Sequence, residues 1–183
     1  MTIDIPTNGL TLLLGGARSG KSSFAEQIGR DSGQPVLFIA TATAGDEEMA
    51  ERIRKHQASR PVHWQTRELP LNLGQHLAAP LPQIVIVDCI TLLVTNVLLS
   101  LPENAPAEAV MEKVQVEIDG LIAAQARIGG QWLVVSNEVG LGLVPPYPLG
   151  RLYRDALGWA NQQLARAAQR VIFMVAGIPM LVK

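Results

Sequence analysis

The residues Gly15-Gly16-Ala17-Arg18-Ser19-Gly20-Lys21-Ser22 fit the pattern G-x-x-x-x-G-K-[ST] in full, and each part of that pattern has a task in holding phosphate. Glycine lets the backbone curl so that its N–H groups converge on phosphate oxygens. Lys21 supplies a mobile positive charge for the β- and γ-phosphates of a nucleoside triphosphate, and the Ser22 hydroxyl can ligate Mg²⁺. A helix starting near Ser22 adds the positive end of its dipole. A second group belongs with this loop. Asp88 ends the apolar run Val85-Ile86-Val87, and an acid at the C-terminal end of such a strand can hold Mg²⁺ through water. The alternative is a helix N-cap, where Asp is common; one side chain can serve as both.

His56 is the remaining candidate for chemistry. Arg52 precedes it by four residues and Arg60 follows it by four, while Met49 and Ile53 stand at −7 and −3. A helix over residues 46–58 therefore puts His56 on or beside the face that packs inward. Neighbouring cations suit anion binding. They also disfavour the imidazolium, which leaves a ring nitrogen free as a nucleophile. A satisfied structural histidine is the other reading of the same residues. His63, beside Trp64 in an expected strand, and His76, in a polar helix, offer less.

For these groups to meet, strands and helices must bring them to one edge. Residues 10–14 are a short apolar run ending in glycine and read as a buried strand, with a helix after them from Ser22 to about Gly29. Residues 36–40 are a second buried strand. The charged helix 46–58 places Glu48 before Arg52 and Glu51 before Lys55 at i, i+4, the favourable order, and Pro61 closes it. Residues 63–69 read as a strand, and 71–79 as a short helix stopped by Pro80 and Pro82. Residues 84–87 are four consecutive β-branched side chains, a buried strand. Helices follow at 89–101 and 107–127, the second ended by Gly129-Gly130. Residues 131–136 form a strand, 137–148 a loop rich in glycine and proline, 149–168 a helix and 171–175 a strand. A tight turn at Ala176-Gly177 makes 178–182 a last, antiparallel strand. Continuous apolar strands alternating with helices imply a mostly parallel sheet covered on both faces. The expectation is an α/β chain with the P-loop NTPase fold of the RecA-like type, as one domain over residues 1–183.

Composition narrows the partners. An apolar fraction of 48% against 17% charged residues belongs to a globular chain. A formal net charge of −1 removes any bulk attraction to nucleic acid or anionic lipid. The single cysteine, Cys89, cannot form an internal disulfide. Residues 84–101 are nearly long and apolar enough to span a bilayer, but Asp88, Thr91, Thr95 and Asn96 are costly in lipid. A strand followed by a helix explains them better, so no membrane span is expected. No basic segment precedes an apolar one at the N-terminus, so no signal peptide is read and the cytoplasm is the expected compartment.

These pieces together resemble the bifunctional adenosylcobinamide kinase / adenosylcobinamide-phosphate guanylyltransferase family of cobalamin biosynthesis. The resemblance runs from about Leu12 to Lys183. Besides the phosphate loop it rests on Ile39-Ala40-Thr41-Ala42, Asp46-Glu47-Glu48-Met49 and Arg52-Ile53-Arg54-Lys55-His56-Gln57, with Arg60-Pro61, Trp64 and Glu68. It continues through Val87-Asp88-Cys89-Ile90-Thr91, Val94-Thr95-Asn96, Ser136-Asn137-Glu138-Val139-Gly140, Val144-Pro145, Arg154-Asp155 and Asn161-Gln162. The phosphate loop alone is shared by many families; the ordered set is specific.

The resemblance implies a two-step enzyme. ATP or GTP first phosphorylates the hydroxyl on the aminopropanol arm of adenosylcobinamide. GTP then transfers GMP to that phosphate, giving adenosylcobinamide-GDP and pyrophosphate, with Mg²⁺ as the metal. The family forms a covalent GMP–histidine intermediate, and His56 is the matching position, with Lys21 as its catalytic companion on the loop. Ala40, Thr41 and Ala42, then Gln57, Ala58, Ser59 and Arg60, and the separate Glu68 and Asp88, match the family's guanine-nucleotide contacts. The family also implies a homo-oligomer, a trimer. The chain departs from the family at Pro145-Pro146-Tyr147-Pro148, where Pro-Glu-Asn is usual after the valine, and at Lys55, where many members carry a second histidine. No role is read for residues 1–10.

Two other readings share the phosphate loop: a P-loop small-molecule kinase with a structural His56, and a nucleotide-dependent switch or motor subunit. A motor needs a catalytic carboxylate beside Asp88 and an arginine supplied across an interface, and the sequence displays neither plainly.

Overall fold

The computed structural model describes residues 3–43, 47, 51, 54 and 60–183. Seven strands form one sheet: β1 (Gly9–Gly15), β2 (Val36–Ala40), β3 (Gln65–Glu68), β4 (Ile84–Asp88), β5 (Gln131–Val135), β6 (Arg170–Val175) and β7 (Ile178–Leu181). Their order across the sheet is β3-β2-β4-β5-β1-β6-β7. All neighbours are parallel except β6 and β7, which form the expected antiparallel hairpin. Its turn residues Ala176 and Gly177 have φ of 50° and 82°, the paired positive values of a tight hairpin turn. This is the P-loop NTPase α/β fold, with β5 between the phosphate-loop strand β1 and the acid-bearing strand β4.

The inner strands β1, β2, β4, β5 and β6 are largely apolar because both faces of the sheet are covered there. Successive side chains point to opposite faces, so each of these strands feeds two cores. Leu10, Leu12, Leu37, Ile39, Val85, Val87, Trp132 and Val134 face one core. Leu13, Phe38, Ile86, Leu133 and Val135 face the other. The first core is closed by α2 (Leu73–His76), α3 (Ile90–Leu99), α4 (Ala107–Ile128) and α5 (Pro148–Ala167). The second is covered by α1 (Lys21–Asp31), with Trp64 and, from the N-terminal segment, Ile3 and Ile5 packed on it. That segment, for which no role is read from the sequence, is also held by Gln131 Nε2 donating to Pro6 O at 2.9 Å.

The apolar stretch at 84–101 divides into β4 and α3, and among the described residues no helix is long and apolar enough to cross a membrane. The strand expected at 63–69 is the short exposed edge strand β3. The helix expected over 71–79 is only α2. It starts late because the buried Glu117 carboxylate on α4 accepts the backbone N–H groups of Asn72 (2.6 Å) and Leu73 (3.2 Å), and it ends where Leu77 turns extended.

At the same junction α2 and α4 touch backbone to backbone. A Cβ on Gly74 would lie 2.6 Å from the carbonyl carbon of Gly120, whereas a Cβ on Gly120 would lie 3.5 Å from Gly74 Cα, an ordinary contact. Gly74→Ala is therefore expected to destabilise the fold by about 1–3 kcal/mol, the cost of overpacking. Gly120→Ala is expected to be neutral or stabilising, because alanine favours the helix. Thermal melts of the two variants check this; equal shifts would contradict the packing.

Candidate functional site

The phosphate loop leaves β1 at Gly15 and enters α1 through Gly20, the N-cap, whose φ is 97°. A side chain at Gly20 would be strained by that φ, and its Cβ would come 3.3 Å from Gly177 Cα. Two braces hold the loop. The Gly177 N–H at the β6–β7 turn donates to Ser19 O at 3.0 Å, and the Glu138 N–H after β5 donates to Gly15 O at 3.0 Å. Gly16, Ala17 and Arg18 are exposed while Ser19 is buried.

Lys21 is buried at the first turn of α1. Its Nζ donates to Gly16 O at 2.6 Å and to Ser19 Oγ at 3.3 Å. Burial lowers its pKa from the ordinary lysine value, while Cys89 and Asp88 act to raise it. Lys21, Ser22 and Asp88 line one cavity of about 610 Å³, together with Ala17, Arg18, Ser19 and Gly20 from the loop. Asp88 stands at the end of β4, in register with Ala40. The capping alternative for Asp88 is corrected: α3 begins at Ile90 with Cys89 as its N-cap.

A hydroxyl and a carboxylate on one cavity are hard oxygen donors that fit Mg²⁺, which is commonly held by one or two protein groups plus substrate phosphates. Among the described residues no group of three His, Cys, Asp or Glu side chains forms a separate metal cage. Cys89 also lines the cavity, but burial first, and then Asp88, push its thiol up to about 11. It is therefore a neutral thiol near pH 7 and not a thiolate nucleophile.

Arg60 reaches the same cavity from the other side. Its guanidinium carbon lies 3.5 Å from the centroid of the Phe38 ring, a cation–π contact. The side chain is only 8% exposed, and the Glu26 carboxylate stands with Oε1 4.0 Å from its Nε. Among the described residues, its Nε and Nη1 have no hydrogen-bond partner. Burial lowers its pKa, and Glu26, Asp88 and Glu68 act in that order to raise it; arginine remains charged regardless. A buried guanidinium with donors to spare on a cavity wall is built to meet an anion or a carbonyl.

The other sequence candidates divide. Ala40 and Ala42 line the cavity. Thr41 between them points away, as strand alternation requires. Its Oγ1 donates to Cys89 O at 2.7 Å and accepts the Cys89 N–H at 2.8 Å, and its carbonyl accepts Asn96 Nδ2 at 2.8 Å. Thr41 therefore fixes the ends of β2 and β4 to each other. Glu68, exposed on β3 in register with Ala40, lies outside the cavity lining, as do Gly15 and Gly16. His56, Gln57, Ala58 and Ser59 lie outside the described residues. So does most of the charged helix expected over 46–58; of its residues Glu47, Glu51 and Arg54 are described, the last two paired at 2.6 Å.

Residues that the sequence did not single out for the site complete the wall. Phe38, Thr91 and Asn137 line the cavity. Asn137 is positioned by donating its N–H to Thr91 Oγ1 at 2.9 Å and by accepting Asn161 Nδ2 on its carbonyl at 3.0 Å. Asn161 in turn accepts Ser136 Oγ–H at 2.6 Å. Polar Asn96 and Asn161 inside apolar helical patterns were the available signal.

Residues 11–182 match the family model described as cobinamide kinase / cobinamide phosphate guanyltransferase. The chain is 45% identical over 174 residues to the bifunctional adenosylcobalamin biosynthesis protein CobP of Pseudomonas aeruginosa, covering 94% of this chain and 96% of that one. It is 44% identical over 181 residues to CobU of Salmonella typhimurium, covering 95% and 99% respectively. Among solved structures, the RadB recombinase is similar at 13% identity with a TM-score of 0.48, over 90% of this chain and 73% of that one.

Proposed function

The chain belongs to the cobinamide kinase / cobinamide phosphate guanyltransferase family, and from that premise we propose that its two transfers share one phosphate pocket, the second passing through a covalent GMP–His56 bond. It is a bifunctional transferase of cobalamin biosynthesis that phosphorylates cobinamide and then guanylylates the phosphate. The observation that carries the shared pocket is the meeting of Lys21, Ser22, Asp88 and Arg60 around a single cavity.

In the first transfer the acceptor hydroxyl oxygen attacks the γ-phosphorus of ATP or GTP. The bond from that phosphorus to the nucleoside diphosphate breaks, and the hydroxyl proton is released. Lys21 exchanges Gly16 O for the β- and γ-phosphate oxygens, and the loop N–H groups hold the triphosphate in line. Mg²⁺ held by Ser22 and Asp88 would neutralise charge on the phosphates.

In the second transfer a neutral imidazole nitrogen of His56 attacks the α-phosphorus of GTP and pyrophosphate departs. An oxygen of cobinamide phosphate then attacks the same phosphorus, the P–N bond breaks, and the imidazole is restored. Arg60 supports this reading. It follows His56 by four residues, a length of chain that spans at most about 14 Å, and it brings a fixed positive charge to the cavity. Ala40, Ala42, Gln57, Ala58, Ser59 and Glu68 make up the rest of the proposed guanine-nucleotide contacts, and Thr41 acts behind them. We place the enzyme in the cytoplasm as a homotrimer.

The test uses GTP radiolabelled at its α-phosphate. After denaturation the protein is expected to retain a label that is acid-labile and base-stable, and excess chelator is expected to prevent labelling until Mg²⁺ is restored. No retained label with Mg²⁺ present would leave a simple kinase in its place.

A further inference from the structure

The loop between β5 and α5, with the first turn of α5, exposes an unusual run of apolar side chains. Leu141, Leu143, Val144, Tyr147 and Leu149 are all exposed, with Leu141 at 81% and Leu143 at 96%. Single exposed apolar residues are ordinary; five within residues 141–149 form a patch, and patches of this kind mark binding surfaces. The loop backbone is nevertheless well held. At its start Asn137 is fixed to Thr91 and Asn161, and Glu138 to Gly15. At its end Arg151 Nη1 donates to Pro145 O at 3.1 Å and Pro146 O at 2.9 Å, while Tyr153 Oη donates to Thr91 O at 3.4 Å. Pro145, Pro146 and Pro148 restrict the chain between these anchors. Apolar side chains are thus displayed on a prepared backbone whose root residue, Asn137, lines the phosphate cavity.

The occupant follows from size and chemistry, and rests on the cobinamide reading given above. A cavity of about 610 Å³ is of the size that takes one nucleotide-sized ligand. The acceptor is a corrin macrocycle, broad and largely apolar on its faces, with a thin aminopropanol arm that carries the reacting hydroxyl. Only the arm needs to reach the phosphates, so the ring must rest outside, on ground adjoining the cavity. Neither residues 141–149 nor the β6–β7 hairpin, which also exposes apolar side chains, line the cavity, but the hairpin meets it through the backbone brace from Gly177 to Ser19, whereas this loop starts from Asn137, which itself lines the cavity wall. We propose that residues 141–149 seat the corrin ring of the acceptor by apolar contact while its hydroxyl arm enters the cavity beside Asn137.

The experiment compares the unmodified protein with Leu141→Ser/Leu143→Ser and with Leu141→Met/Leu143→Met, all with a non-hydrolysable GTP analogue bound. Both leucines are exposed, so the fold is not at risk. Adenosylcobinamide binding is followed by its visible absorption, nucleotide binding by calorimetry, and assembly by light scattering. The serine pair is expected to weaken adenosylcobinamide binding about tenfold or more, the scale set by losing two apolar contacts. It should leave nucleotide affinity and assembly mass unchanged, and in separate turnover assays with GTP in place of the analogue it should raise KM for adenosylcobinamide with little change in kcat. The methionine pair should bind as the unmodified protein does. Unchanged adenosylcobinamide affinity in the serine pair would overturn the seat and leave the kinase and guanylyltransferase reading intact. A change in assembly mass would assign the patch to contact between copies and overturn it too. Failure of the unmodified protein to bind adenosylcobinamide at all would overturn both.

Discussion

Lys21→Met is expected to lower both transfers by about a hundredfold to a thousandfold, the range for removing one preorganised charge from a transition state. The two transfers should fall together, because ATP or GTP is gripped by the same β- and γ-phosphates in each. Methionine keeps the buried stem and loses only the ammonium, whose hydrogen bonds are to Gly16 O and Ser19 Oγ within the loop itself. Burial already works against the charged form of Lys21. The melting temperature should therefore stay the same or rise while activity is lost, since a desolvated charge has been replaced by an apolar group of similar shape. Steady-state kinetics of each half-reaction, with a melt on the same sample, check this. If either transfer keeps its kcat/KM within a few-fold, the shared pocket is wrong.

His56→Ala should separate what Lys21→Met removes together. Guanylyl transfer is expected to drop by about a thousandfold or more, as when an enzyme loses its nucleophile, and the protein-bound GMP label should disappear. Phosphorylation of cobinamide should persist near its normal rate, because that step needs Lys21, the metal and a placed hydroxyl but no imidazole. Product analysis would then find cobinamide phosphate accumulating with no GDP conjugate. A variant that still forms the conjugate at the normal rate would refute the covalent route through this residue.

What the sequence made legible was local chemistry and periodicity. The loop from Gly15 to Ser22 could be read because every residue acts on its immediate neighbours, and the split at 84–101 because Asp88 interrupts an apolar run. Contacts between distant residues were not legible. The family resemblance implies that Thr41 is a nucleotide contact; that its hydroxyl pairs with the Cys89 peptide, 48 residues away in sequence, is a contact no local pattern displays. Arg60 reads as lying just past a helix end. Its burial against Phe38 depends on packing that no local pattern encodes. The shortening of α2 comes from Glu117 on another helix. For the same reason the amide network through Asn137 and Asn161 was visible only as polar residues in apolar surroundings.

The bond from the Gly177 N–H to Ser19 O has a consequence for how the protein is made. The phosphate loop is translated early, but one of its braces lies on the hairpin that completes the sheet. Until β6 has paired with β1 and turned back as β7, the loop lacks that support, and closing a contact between residues 19 and 177 costs the entropy of a long chain segment. A nascent chain carrying the whole motif therefore has the letters of a nucleotide site without its shape. Nucleotide selects the finished sheet, and in a cell rich in GTP mass action holds the completed fold against unfolding. The substrate acts as a late-arriving clamp on the protein's own assembly.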